Sequence, residues 1–87
     1  MASSANLEIG NILYERAAYA QSLIEYQELT RRVSSPTAVA AAFNSGLAYR
    51  KLSRIDEARN SFYRVVDGSP ENHLASVAAY LIGRMLL

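Results

Sequence analysis

Hydrophobic residues recur along the chain at the three- and four-residue spacing that is typical of amphipathic helices. One apolar stripe consists of Leu23, Tyr26, Leu29 and Val33, and a second consists of Ile55, Ala58, Phe62, Val65 and Val66. The sequence has no β-branched run of alternating polarity and no Asn-Gly or Asp-Gly hairpin turn. The pattern therefore predicts an all-α chain whose helices each bury one face against their neighbours.

Five helices are expected from this pattern, over residues 4–16, 19–33, 36–51, 54–67 and 70–86. The dipeptides Ser35-Pro36 and Ser69-Pro70 predict two helix starts, because serine caps free N–H groups and proline fits the first helical turn. Ser53 predicts a third start, since Asp56 follows it at the spacing of a capping box. The short loops between the five segments favour antiparallel neighbours.

Small and aromatic residues repeat along the chain at a separation of 36 positions. Three pairs share this separation: Gly10 with Gly46, Ser22 with Ala58, and Tyr26 with Phe62. Gly83 follows Gly46 by 37 positions and marks a third, partial unit. A small residue lets two helices approach closely, and an aromatic ring fills the space beside their crossing. The spacing therefore predicts helical hairpins that stack side by side.

This pattern resembles the tetratricopeptide repeat, a helix–turn–helix unit of about 34 residues. The match is closest over residues 39–72, where the repeat's small, aromatic and proline positions hold Gly46, Tyr49, Ala58, Phe62 and Pro70. Two positions depart from the family pattern, because Ala42 replaces the usual bulky aromatic residue and Val65 replaces the usual alanine.

The resemblance implies one domain over residues 1–87, folded as a short right-handed α-solenoid of about five helices. Within it, residues 3–36 would form a divergent repeat, 37–70 a clear repeat, and 71–87 a partial repeat or capping helix. The 13-residue gap from Pro70 to Gly83 also looks like the longer spacing in bacterial envelope repeat proteins of the Tol–Pal coordinator type.

The resemblance also implies a groove that binds a peptide or a partner helix, lined by the first helix of each unit. Matching repeat positions place these residues in the groove: Leu7, Glu8, Asn11, Tyr14, Phe43, Asn44, Leu47, Arg50, Tyr80, Leu81 and Arg84. Aromatic residues and arginine are the usual anchors of protein interfaces. For the three leucines, packing between neighbouring helices is the alternative to exposure in the groove.

Asn11 and Asn44 stand where related repeat modules use asparagine to grip the C-terminal carboxylate of chaperones. Those modules add lysine and arginine, whereas Leu7 stands here at the position of the first lysine. A carboxylate held without a cation has little to offset its desolvation. The sequence therefore argues against a carboxylate clamp.

Residues that carry chemistry are sparse in this chain. It contains no cysteine, and its single histidine, His73, has no partner at metal-ligand spacing. No nucleophile has an activating histidine nearby in a known pattern, and no Gly-rich phosphate loop is present. We therefore expect no enzymatic activity, catalytic residue, metal or cofactor. The net charge of +1 gives no electrostatic reason to expect nucleic-acid binding, so no nucleic-acid partner is predicted.

The most apolar segment is residues 74–87, which contain a single charge, Arg84. A membrane span takes about 20 residues, so this segment predicts a packed helix and no membrane insertion. One side of the helix has no following helix to cover it, and such a patch marks an interface or a truncated array. The alternative function is thus a structural subunit that forms a homo-oligomer through Leu81, Ile82, Met85 and Leu86.

The first residues, MASSANLEIGN, lack the basic and apolar regions of a secretory signal. A cytoplasmic protein is expected if Met1 is the natural start. The alternative is a periplasmic location, if the chain is a domain excised from a longer protein.

Overall fold

The structure, a computed structural model, describes residues 2–32 and 36–85. It contains five helices: α1 (Ala2–Glu15), α2 (Tyr19–Arg32), α3 (Pro36–Lys51), α4 (Ile55–Gly68) and α5 (His73–Met85). No strand occurs in these residues. The all-α class is confirmed, and each helix begins and ends within three residues of its expected bounds.

The helices lie in two layers. Each helix packs against the next one along the chain, and in addition α1 contacts α3 and α3 contacts α5. Between the described parts of α2 and α4 there is no such contact. The odd-numbered helices therefore form a continuous layer, and the even-numbered helices lie behind it in an all-α helical-repeat arrangement.

The repeated glycine and the repeated aromatic residue meet in both hairpins. A Cβ atom added to Gly10 would lie 2.6 Å from Cε1 of Tyr26, and one added to Gly46 would lie 2.5 Å from Cε1 of Phe62. Real Cβ atoms essentially never approach another atom below 3.0 Å. The two rings are 1% and 0% exposed. Glycine is therefore required at both crossings, and the 36-residue period in the sequence is also a period in the packing.

The two helical hairpins also turn in the same way. Ala17 and Ser53, which are 36 residues apart, both have left-handed backbones, with φ of 64° and 62°. Both turns make the same two backbone hydrogen bonds: Ala17 N–H to Tyr14 O and Ala18 N–H to Leu13 O, then Ser53 N–H to Arg50 O and Arg54 N–H to Tyr49 O. This pair of bonds is the Schellman motif, which satisfies the last carbonyls of a helix. Sequence reasoning did not identify it, because neither turn contains the usual glycine.

The predicted capping box at Ser53 is wrong for that reason. Ser53 belongs to the end of α3, and α4 begins two residues later, after Arg54. The side chain of Arg54 makes no capping hydrogen bond, so the first turn of α4 relies on the acidic residues Asp56 and Glu57. Negative charge is favourable there because it complements the helix dipole.

The start of α5 also differs from the prediction. Pro70 lies in a turn, and the helix begins at His73. Asn72 is its N-cap, since Asn72 Oδ1 accepts a hydrogen bond from Leu74 N–H at 2.9 Å. The start predicted at Pro36 is confirmed, whereas Val33 and Ser35 lie outside the described residues.

Two groups of buried side chains form the core. The larger joins α3, α4 and α5 and contains Ala42, Phe43, Ala58, Phe62, Val65, Ala75, Ala78 and Ile82. The smaller joins α2 and α3 through Tyr26, Leu29 and Ala41, with Leu7 of α1 packed against it. The described residues of both predicted stripes point inward, except that Ile55 at the start of α4 is exposed.

Candidate functional site

A hollow of about 240 Å³ lies where α1, α2 and α3 meet. It is lined by Asn11, Tyr14, Glu15, Tyr26, Asn44 and Leu47, and is called the Asn11–Asn44 hollow below. Four of these residues were expected to line a partner-binding groove: Asn11, Tyr14, Asn44 and Leu47. The fold thus brings together four of the expected groove residues, two from each of the first two repeat units.

Two asparagines and a buried tyrosine form a hydrogen-bond network at the base of this hollow. The Tyr26 hydroxyl donates to Asn11 Oδ1 at 2.5 Å, and Asn44 Nδ2 donates to the same oxygen at 3.0 Å. An amide oxygen has two lone pairs, so Asn11 Oδ1 is fully used. Asn11 Nδ2 and Asn44 Oδ1, in contrast, have no hydrogen-bond partner among the residues that the structure describes. The network therefore leaves a donor and an acceptor available to a ligand.

The protonation state of Tyr26 keeps this network intact at neutral pH. Burial raises the pKa of Tyr26 from 10.0 to about 12; the neighbouring Tyr14 adds to the rise, a hydrogen bond from Asn44 opposes it, and the Glu15 carboxylate adds less than either. The hydroxyl is therefore protonated and remains a hydrogen-bond donor. Asn11 is in turn held in one orientation by two donors from two other helices.

Replacing Tyr26 by phenylalanine is expected to change how stability depends on pH. The folded state raises the pKa of Tyr26. The resulting contribution of Tyr26 to the free energy of unfolding is therefore complete below pH 10 and is lost as the pH rises from 10 to 12. This loss reaches about 1.4 kcal/mol by pH 11 in the parent chain and is absent in Tyr26→Phe. Near pH 7 the substitution is expected to lower the free energy of unfolding by about 1 kcal/mol, the usual contribution of one hydrogen bond.

Urea denaturation between pH 7 and pH 11 measures both effects. Tyr63→Phe, which removes one hydroxyl from an exposed position of α4, is the matched control. If the parent chain and Tyr26→Phe lose the same stability above pH 10, the buried hydroxyl does not have the raised pKa.

Sequence reasoning missed two residues of the hollow, Tyr26 and Glu15. Tyr26 was assigned to the core because it corresponds to Phe62 in the repeat. The difference between the two residues was the available signal, since a buried tyrosine needs a partner for its hydroxyl and phenylalanine does not. Glu15 carried no signal of its own, because its place depends on the turn that ends α1.

Phe43 was expected in the groove, and that prediction is wrong. It is 9% exposed and packs against Phe62, with the ring centroids 5.5 Å apart. Position 43 lies on the side of α3 that faces α4, so its ring belongs to the core. Leu7, Leu47 and Leu81 are half-buried against the two core groups, as the packing alternative predicted, although Leu47 also lines the hollow.

The remaining groove candidates lie away from the hollow. Glu8 and Arg50 are exposed and do not line it. Tyr80 and Arg84 form an exposed pair on α5, where Arg84 Nη1 donates to the Tyr80 hydroxyl at 3.0 Å and its guanidinium lies 5.8 Å from the ring centroid. The predicted groove therefore divides into the hollow and a separate α5 surface.

The residues expected to mediate self-association are not a single exposed patch. Ile82 is 6% exposed and belongs to the larger core group, so its expected exposure is wrong. Leu81 and Met85 are half-buried against that group, and Leu86 lies outside the described residues. The exposed apolar surface of α5 is formed by Val77 and Tyr80, which are 43% and 62% exposed.

A second hollow, of about 360 Å³, lies between α2 and α4. Its lining consists of Ile24, Gln27, Glu28, Thr30 and Arg64. It occupies the space where these two helices fail to touch, and sequence reasoning did not identify it. Its polar side chains are already engaged in part, since Gln27 Nε2 donates to the Tyr49 hydroxyl at 2.8 Å and the Thr30 hydroxyl donates to Gln27 O at 3.0 Å.

Other chemistry is scarce in the part of the chain that the structure describes. It holds no group of three or more His, Asp or Glu side chains placed to bind a metal ion, and His73 is exposed at the first position of α5. None of its helices has the length and apolar character needed to cross a membrane.

Comparisons of the chain with models of protein families, with curated proteins and with solved structures find no match.

Proposed function

We propose that this protein is a non-enzymatic interaction module of the tetratricopeptide type, which binds an extended peptide or a partner helix on the surface of α1 and α3. The observation that carries the proposal is the Asn11–Asn44 hollow. Its free donor, Asn11 Nδ2, and its free acceptor, Asn44 Oδ1, belong to side chains that hydrogen-bond each other. Neither group is among the buried unpaired atoms, so both are open to solvent, and a ligand in the hollow can replace the water that they bind.

These two groups suit the backbone of a bound segment. A peptide unit presents one N–H and one C=O, which complement an amide acceptor and an amide donor. Tyr14 and Leu47 add apolar surface beside them. Because Tyr26 already holds Asn11, less side-chain freedom is lost on binding than for two free asparagines.

The packing repeat supports the family resemblance behind this proposal. Both hairpins use a glycine beneath an aromatic ring, and both end their first helix with the same backbone hydrogen bonds. The odd-numbered helices touch and the even-numbered ones do not, which is the packing expected when the array curves towards its first helices.

Self-association through α5 has less support. Ile82 faces the core, and the exposed surface of α5 is reduced to Val77 and Tyr80 beside the charged Arg84. The groove is therefore the preferred site for a partner.

Replacing Asn44 by alanine is expected to weaken binding of a selected peptide about tenfold or more, because a hydrogen bond lost at a partly buried site costs about 1–3 kcal/mol. Peptides would be selected from a random display library on the parent chain and measured by calorimetry. Asn60→Ala is the matched control, since Asn60 is exposed on α4 and does not line the hollow. Equal affinity of the two variants, or failure of any peptide to bind the parent chain, would contradict the proposal.

A further inference from the structure

The described residues that line the Asn11–Asn44 hollow carry charge of one sign only. Glu15 is the only charged residue among the described residues that line it, and no lysine, arginine or histidine is among them. Glu15 is exposed and forms no ion pair with any described residue. It lies in the last turn of α1, which holds no basic residue, so the negative end of the helix dipole adds to its charge. The formal charge of the lining residues is therefore negative.

Three acceptors with spare capacity surround this negative site. They are the Glu15 carboxylate, Asn44 Oδ1 and the hydroxyl oxygen of Tyr14. A lysine ammonium has three N–H donors and no acceptor, and a guanidinium has five N–H donors. Tyr14 also lines the hollow, and its ring makes an edge-type contact with Tyr19, with the ring centroids 5.2 Å apart. The lining thus matches the hydrogen-bonding needs of a cation better than those of an anion.

The size of the hollow suits a single long side chain. At about 240 Å³ it is smaller than the usual range of about 300–1,000 Å³ for small-molecule sites. Leu47 and the body of Tyr14 offer apolar contact to the methylene stem of a long side chain. One lysine or arginine side chain fits this combination of an apolar wall and an acidic rim.

The competing occupants fit less well. A carboxylate would face Glu15 with no cation in the lining to neutralise it. A purely apolar side chain would remove water from Glu15 and Asn44 without replacing its hydrogen bonds, which is costly. Arg16 and Arg50 are close in sequence to the lining residues, but both are exposed to solvent and neither lines the hollow.

We propose that the Asn11–Asn44 hollow accepts a lysine or arginine side chain of the bound partner, with Glu15 as its counter-charge. This inference rests on the proposed function for the segment that carries the cation. The site itself is testable without that segment, because small molecules reproduce the end of the side chain.

The test is a titration of the ¹⁵N-labelled chain followed by NMR, with four probes of equal length at constant ionic strength. n-Butylammonium and n-butylguanidinium represent the two cationic side chains, n-butanol is the neutral probe and butyrate is the anion. Both cations are expected to shift the side-chain amide signals of Asn11 and Asn44 saturably, with an affinity about two- to fivefold above that of butanol or butyrate. Glu15→Gln is expected to remove this preference, whereas Glu71→Gln, at an exposed position outside the hollow, keeps it.

The inference is overturned if butanol or butyrate binds as tightly as the cations, if Glu15→Gln leaves cation binding unchanged, or if no probe shifts the two amides. Failure of this inference and failure of the proposed function are distinguishable. Peptides that bind in an Asn44-dependent way but carry neutral residues at the hollow would leave the proposed function standing and overturn the cation site. Saturable, Glu15-dependent binding of butylammonium without any peptide binding would support the cation site and contradict the proposed function.

Discussion

Replacing Phe62 by alanine is expected to lower the free energy of unfolding by about 3–5 kcal/mol. The ring is 0% exposed, lies in the core group that joins α3, α4 and α5, and fills the space above Gly46. Its loss removes the contact with Phe43 and leaves a cavity between three helices. A chain of this size has a total stability of about 4–13 kcal/mol, so this change removes a large share of it.

Urea denaturation followed by far-ultraviolet circular dichroism measures this loss. Tyr63→Ala is the matched control, because Tyr63 is the next residue on α4 and its ring is exposed. The control is expected to cost less than about 1 kcal/mol. A loss below about 1.5 kcal/mol for Phe62→Ala, or similar losses for both variants, would show that the repeated aromatic residue is not central to the core.

Replacing Gly46 by alanine is expected to destabilise the protein by about 1–3 kcal/mol, although the same change normally stabilises a helix. Alanine is favoured over glycine in a helix interior by about 0.5–1 kcal/mol. At position 46, however, the new methyl group would lie 2.5 Å from Cε1 and 2.7 Å from Cζ of Phe62. Three atoms of the buried ring would lie within 2.8 Å of the new methyl group, so the ring must shift, and we expect the steric cost to exceed the gain in helix propensity.

Gly83→Ala is the matched control for this prediction. Gly83 is also helical, but nothing lies within 4 Å of the position where its Cβ would be. Alanine there is expected to raise the free energy of unfolding by about 0.5–1 kcal/mol, so the two glycine variants shift the thermal midpoint in opposite directions. Stabilisation by Gly46→Ala would refute the close packing. In a Phe62→Ala background, Gly46→Ala should lose most of its cost, since the atoms that clash are then absent.

Sequence reasoning was most successful where a property repeats along the chain. The glycine–aromatic period and the apolar stripes were visible because the packing of each hairpin uses the same residue types at the same separation. Reasoning failed at two helix starts, where Ser53 and Ser69-Pro70 carry the right residue types for a cap. Which of several residues able to cap a helix becomes the cap depends on where the preceding helix ends. For α3 that end could not be recognised in the sequence, because its Schellman motif contains no glycine.

The candidate site was only partly predictable. Repeat positions identified Asn11 and Asn44 as a related pair, and the structure joins them by a hydrogen bond. The same reasoning placed Phe43 in the groove, whereas Phe43 and its counterpart Leu7, 36 residues earlier, both pack against a core group. Glu15, which sets the charge of the hollow, could not be identified without knowing that α1 ends beside α3.

The sequence by itself determined that this chain folds into five helices and that a glycine meets an aromatic ring once in each hairpin. Helical periodicity and the absence of a side chain at glycine are local properties, so they can be recognised in the sequence without knowing how the helices pack. Only the tertiary structure decided which groups share the hollow and which remain free to bind. That outcome depends on distances between residues far apart in the chain, such as Tyr26 and Asn11, whose hydrogen bond exists only when α1 and α2 are in contact.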